Sequence, residues 1–263
     1  MSPTKLRLLL LCVSVVPTFS LAQTQSPPVS DPQALALAAQ SVAAVTGGML
    51  ITDVTLNANV ISILGSDYET GTGIFEAKGI VESRVDLNLN GWTRSDVRSV
   101  TSGIPAGAWA KNGMASTPYA AHNCWTDAAW FFPALSSVSQ TANASFVFKY
   151  IGQEQHGGVA TQHIQIYQSP AQGPKAAPRM SQVDFYLDPA SLLPLTIAFN
   201  VHPDDDMNTD VRTEIGFANY QASSGIQVPF HIQRRVNGVL VLDITVTSAT
   251  FNTGLPDSLF TLP

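Results

Sequence analysis

The chain has 263 residues, of which 45% are hydrophobic and only 12% charged, with 19 acidic against 13 basic residues and a formal net charge of −6. That apolar content sustains a core and excludes a disordered chain. An acidic chain with scattered Lys and Arg argues against nucleic acid as a partner, and against docking on anionic lipid headgroups through a basic face.

Residues 1–22 read as an export signal. Lys5 and Arg7 give a short positive start, Leu8 to Val16 an apolar core, and Ser20-Leu21-Ala22 the small-x-small form that a signal peptidase accepts, so cleavage is expected between Ala22 and Gln23. The apolar run, interrupted by Ser14 and Pro17, is too short to span a membrane. Cys12 follows leucine rather than the small residue of a lipidation signal. Cleavage leaves 11 basic against 19 acidic residues, a net charge of −8, and leaves Cys124 as a lone cysteine without an intrachain disulfide. The expected location is periplasmic or secreted.

Residues 23–30 form a polar, proline-bearing flexible leader, and residues 31–263 are expected to form one domain. A helix follows the leader, with Ser30 as N-cap, Pro32 in its first turn and Gly47-Gly48 at its end. Leu35, Ala38, Ala39, Val42 and Val45 give it one apolar stripe. From residue 49 the period changes to two. Residues 50–64, 72–78 and 80–89 read as strands, the last with Val81, Val85, Leu87 and Leu89 on one face. Residues 93–100 follow, and Lys111-Asn112-Gly113 suits a hairpin turn.

Residues 122–139 break the pattern. Thr126-Asp127 can start a helix, and Pro133 predicts two short helical pieces. Trp125, Trp130, Phe131 and Phe132 make this the most aromatic segment. Strands resume at 144–152, 159–167, 181–188, 195–201, 213–220 and 227–236. Asn237-Gly238 and residues 239–251 complete the clearest hairpin. The loop 169–179 has the same β pattern on both sides, so it reads as a surface loop rather than a domain linker. The fold class is therefore mainly β (α+β): about ten or 11 antiparallel strands in a strongly curved sheet or incomplete barrel, with the N-terminal helix and the central helical segment on its concave side.

Three stretches carry a family resemblance. FYLDPASLLPLTIAF (185–199) is an aromatic strand, an Asp-Pro turn and a Pro-led return strand; GFANYQASSGIQVPFHIQ (216–233) and VTSATFNTGLPDSLFTLP (246–263) continue the pattern. Together they resemble the LolA/LolB-like family of exported carriers. The resemblance covers about the last third of the chain and implies an unclosed half-barrel enclosing a hydrophobic cavity for acyl chains. In that frame Trp130, Phe131 and Leu135 are candidate lid residues, and Val85, Leu87, Phe185, Leu187 and Phe199 candidate wall residues. Ordinary core packing is the competing reading of each.

No G-x-S-x-G, H-E-x-x-H or C-x-x-C is present, and nothing nominates a catalytic residue, a metal site or a cofactor. HPDDDMNTD (202–210) lacks the spacing of a calcium loop and reads as a solvated turn. His163 and His231 sit in strand patterns that suggest a solvent face, and Cys124 beside Trp125 reads as buried and inert. The expected function is a non-enzymatic, monomeric binder or carrier of a lipid or lipid-modified protein in the cell envelope. A cell-envelope structural or interaction protein on the same fold, with an envelope protein as partner, is the alternative, and an envelope hydrolase comes third.

Overall fold

The computed structural model describes residues 28–261; the export signal and most of the leader lie outside them. Thirteen strands form one antiparallel sheet in the spatial order β6-β5-β4-β3-β2-β1-β13-β12-β11-β10-β9-β8-β7. The first meander comprises β1 (Asp53–Leu64), β2 (Asp67–Lys78), β3 (Glu82–Leu89), β4 (Thr93–Thr101), β5 (Ile104–Lys111) and β6 (Thr117–Pro118). The second comprises β7 (Phe146–His156), β8 (Val159–Gln168), β9 (Val183–Leu187), β10 (Pro194–Val201), β11 (Val211–Ser223), β12 (Ile226–Val236) and β13 (Val239–Phe251). The two join where β1 pairs with β13, from Val54 opposite Phe251 to Ser62 opposite Leu242. β6 and β7 are the free edges, so the sheet is unclosed, as expected, with two strands more than the 11 read from the sequence.

The additional strands are β5 and the two-residue β6. Ile-Pro-Ala-Gly-Ala-Trp-Ala-Lys is poor in the β-branched residues that mark strands. Its glycine is a steric requirement: a Cβ on Gly107 would stand 2.8 Å from the Val97 carbonyl and 3.0 Å from the Tyr119 ring. At the other end, Asn237 and Gly238 both adopt positive φ (48° and 80°), the type I′ geometry that their sequence predicts.

The N-terminal helix α1 (Pro32–Thr46) begins one residue later than its sequence suggests. Asp31, not Ser30, is the N-cap and accepts a hydrogen bond from the Gln33 amide. Ser30 instead accepts one from the Phe148 amide at 3.1 Å, tying the helix entry to β7. The helix is also rotated from the expected stripe: Ala34, Ala38, Ser41 and Val45 are buried, and Ala39 is exposed. Small residues on this face let α1 lie close against β7, β8 and β12. Val81 falls before β3 and is exposed; Ser83, Val85, Leu87 and Leu89 form the inward row instead.

The core occupies the concave face. Val54, Leu56 and Val60 of β1, Phe75 of β2, Ile164 of β8, Phe185 of β9 and Ile244 of β13 are all buried there. Asp53 locks the β1–β13 seam. Its carboxylate accepts hydrogen bonds from the Thr253 amide (2.7 Å), the Thr253 hydroxyl (3.0 Å) and the Gly254 amide (3.0 Å). Burial alone would raise its pKa, but these donors hold it below the usual carboxylate range. Asp53→Ala strands two amides, so it is expected to cost about 1–3 kcal/mol in urea denaturation at neutral pH; an unchanged midpoint would show that the seam does not depend on this carboxylate.

Candidate functional site

The chain must travel from edge strand β6 to edge strand β7, and residues 119–145 make that journey across the concave face. The crossing segment is built of single helical turns at Ala121–Trp125, Pro133–Leu135 and Ser137–Ser139. Pro133 opens the second turn, but Thr126 and Asp127 start no helix. Thr126 ends the first turn, and the Asp127 carboxylate accepts from the Ser137 amide (3.0 Å) and hydroxyl (2.9 Å), closing residues 127–137 into a loop. Except for Trp130, every residue from Thr126 to Val138 is buried. Phe131 packs on Phe75 at 5.4 Å between ring centres, and Trp130 lies edge-on to both at 5.6 and 6.1 Å. Asn123 anchors the segment by exchanging two 2.8 Å hydrogen bonds with the backbone of His202.

An irregular segment cannot fill a smooth concavity, and cavities remain around it. The larger, about 510 Å³, has apolar walls that include Val85, Leu87, Trp130, Phe199 and Leu242. A register shift between Arg234 and Arg235 opposite β13 brings Val241 to the same lining as Leu242. Of the candidate residues named from sequence, Val85, Leu87, Trp130 and Phe199 thus meet at one cavity. Phe131, Leu135, Phe185 and Leu187 sit in the packed core. A smaller cavity of about 280 Å³ lies against the same segment, and Arg98, Thr126 and Asp127 border both.

The cavity is not wholly apolar. Arg94, Asp96 and Arg98 on β4 lie opposite Leu87, Val85 and Ser83 on β3, which places a charged row on the concave face. Arg94 and Asp96 form a two-pronged ion pair (2.7 and 2.8 Å), with the Tyr119 hydroxyl donating to Asp96 and the Arg94 guanidinium over the Trp109 ring at 4.7 Å. Arg98 donates to the Thr126 carbonyl at 3.1 Å. Arg234, on β12 opposite Leu242, lies over the Trp130 ring at 5.4 Å. Burial holds both the Arg98 and Arg234 guanidinium groups below their usual range. Burial also pushes the Asp127 carboxyl up to about 6, although the Ser137 donors and Arg98 pull the other way.

Three solved structures share the shape of this chain. A Vibrio parahaemolyticus domain assigned as an outer membrane lipoprotein-sorting protein superposes with a TM-score of 0.55 at 13% identity, covering 87% of this chain and 96% of that one. A DUF1329 family protein of Desulfovibrio piger gives 0.55 at 12% identity, covering 90% and 98%. A LolA superfamily protein of Nitrosomonas europaea gives 0.50 at 9% identity, covering 87% and 97%. The fold is LolA-like. No family model matches the chain. No curated protein matches it by sequence.

Elsewhere on this LolA-like sheet, ionisable groups converge on the opposite face. Asp184 of β9 accepts from Gln165 (3.0 Å) and Arg212 (3.1 Å) and lies 3.2 Å from His163 Nε2; burial would raise its pKa, but these partners keep it below the usual range. His163 is therefore buried in an ion network rather than solvent-facing, and His156 stacks over Tyr186 at 3.7 Å to cover it. The members of the network pair with one another, and it lines neither concave cavity. Cys124 is buried and free, its thiol pKa raised by burial. In residues 202–210, Asp206 accepts from the Asn208 amide and the Thr209 hydroxyl, as a turn does. Among the described residues, no group of three His, Cys, Asp or Glu side chains is placed to hold a metal ion, and no helix is long and apolar enough to cross a membrane.

The cavity's polar and charged members Arg94, Asp96, Arg98, Tyr119, Asp127 and Arg234 carry no signal as site residues in the one-dimensional pattern. In TRSDVRSV both alternating faces hold polar residues, so only the β3–β4 register shows which face turns inward.

Asp127 gives the site a pH signature. Its carboxyl binds a proton more tightly folded than unfolded, so its stabilising contribution is complete below pH 3.8 and is lost as pH rises to about 6. A shift of that size corresponds to about 3 kcal/mol. Asp127→Asn does not titrate, so the stability of the native chain relative to this variant is expected to fall by up to that amount between pH 4 and pH 7 in urea denaturation. A constant difference across that range would show that Asp127 is not held in a desolvated site.

Proposed function

We propose that this protein is an exported, non-enzymatic binder or carrier of a hydrophobic ligand, a lipid or the acyl chain of a lipid-modified protein. It works as a single domain, residues 31–263, in the periplasm or outside the cell. The observation that carries the reading is the cavity of about 510 Å³ between the concave sheet and the crossing segment, walled by Val85, Leu87, Trp130, Phe199 and Leu242. That volume lies within the range of roughly 300–1,000 Å³ of small-molecule sites. Each acyl methylene moved there from water contributes about 0.8 kcal/mol. The LolA-like fold and the Vibrio parahaemolyticus domain assigned to lipoprotein sorting support the same direction.

The alternative, an envelope interaction protein with a filled interior, draws support from the packing of Phe131, Phe132, Leu135 and Val138 into the concavity. Native mass spectrometry of residues 23–263 purified gently from an exporting host separates the two. A mass increment that organic extraction removes and identifies as lipid, and that returns when lipid is added back, is expected. A clean mass with no uptake of lipids or lipopeptides would overturn the carrier reading and leave the interaction protein.

A further inference from the structure

Three arginines and three aspartates border the larger cavity, but they are not all paired with one another. Arg94 and Asp96 satisfy one another. Both oxygens of Asp127 are taken up by Ser137, and Asp204 is exposed at the rim. That leaves Arg98 and Arg234, and among the described residues neither has a carboxylate within ion-pairing distance. Arg98 spends part of its donor set on Thr126. Arg234 is more exceptional: its Nε is buried with no hydrogen-bond partner, and its guanidinium has only the face of Trp130 beneath it. A partly desolvated guanidinium without a counter-ion is costly, and a planar donor fork is the group that binds carboxylate and phosphate oxygens in pairs. The same cavity presents Val85, Leu87, Phe199 and Leu242 to anything held by those forks.

We propose, resting on the cavity reading above, that the ligand is an amphiphile with a single acyl chain and an anionic oxygen headgroup, the headgroup held by Arg234 and Arg98 and the chain by the apolar wall. The size agrees. At roughly 30 Å³ for each water-sized group, a cavity of about 510 Å³ accommodates one medium-length chain with its headgroup. The headgroup chemistry is shared by fatty acids and by single-chain phosphate lipids. Trp130 takes part from both sides, giving its ring face to Arg234 and its edge to the aromatic core.

Isothermal titration of the mature chain with dodecanoate, dodecyl phosphate, dodecanol, dodecyltrimethylammonium and inorganic phosphate tests the assignment. The two anionic amphiphiles are expected to bind at least tenfold more tightly than dodecanol and the cation, and whichever of the two binds better identifies the source of the headgroup. Arg234→Gln is expected to weaken the better anion by roughly 10- to 100-fold and so to erase its advantage over dodecanol. Equal binding of dodecanol and the anions would overturn the headgroup assignment while leaving a hydrophobic cavity in place. Inorganic phosphate binding as tightly as dodecyl phosphate would overturn the role of the chain, and failure of every chain-bearing probe would overturn the cavity reading itself. The comparison among ligands on the native chain decides the matter even where Arg234→Gln does not fold.

Discussion

The pairing of β1 with β13 is the constraint on which the rest of the architecture depends. Each other neighbour pair in the sheet is a hairpin or a local return, and this ladder alone joins the two ends of the sheet-forming chain. Once it is made, β6 and β7 are driven to opposite edges, although they are consecutive in sequence. The connection between them then has no choice but to cross a face of the sheet. It crosses the concave one, where apolar rows from both meanders wait to be covered.

A buried crossing is demanding because backbone groups leave water without a ladder to receive them. The segment answers with single helical turns and with short polar side chains that act on its own backbone. The Ser136 hydroxyl donates to the Pro133 carbonyl at 2.6 Å, the Ser139 hydroxyl donates to the Ser136 carbonyl at 2.8 Å, and Asp127 gathers Ser137. These local closures explain why Asp127 is tolerated where burial opposes its charge. They also explain the voids. A regular helix such as α1, with its alanine face, nests against strands, whereas a chain of single turns leaves gaps on both flanks.

Much of this was legible in sequence, and the rest was hidden for identifiable reasons. The period-two row of Val85, Leu87 and Leu89 in β3, the Asn237-Gly238 turn and the glycine end of α1 are local signals, and they survive folding. β5 escapes notice because alanine and glycine carry little strand preference, and its glycine is selected by contact with Tyr119 rather than by local geometry. The inward charges of β4 escape for a deeper reason. Alternation tells that a strand has two faces, but when both are polar it does not tell which one is inside; Arg98 is interior because Ser83 is its cross-strand neighbour and Ser83 belongs to a buried row. Likewise Val85 and Leu135 look alike in sequence, yet one borders a void and the other the packed core, since the difference lies in where the crossing segment fails to reach.

The two halves of the interior therefore serve opposed demands. Against β7, β8 and β12 the helix and the aromatic residues of the crossing segment close the core tightly, and this is where apolar burial stabilises the fold. Between β3, β4 and the Arg234 end of β12 the same chain accepts an open volume and an unpaired guanidinium, both of which lower the stability of the empty protein. A filled interior of plain hydrophobic side chains would avoid both costs. The anionic, single-chain ligand proposed above would remove both together, its chain occupying the void and its headgroup pairing the guanidinium. Whatever binds the folded chain and not the unfolded one adds to stability in proportion to the logarithm of its concentration over its dissociation constant. The unloaded cost is thus the source of the gain on loading that the proposed carrier role requires.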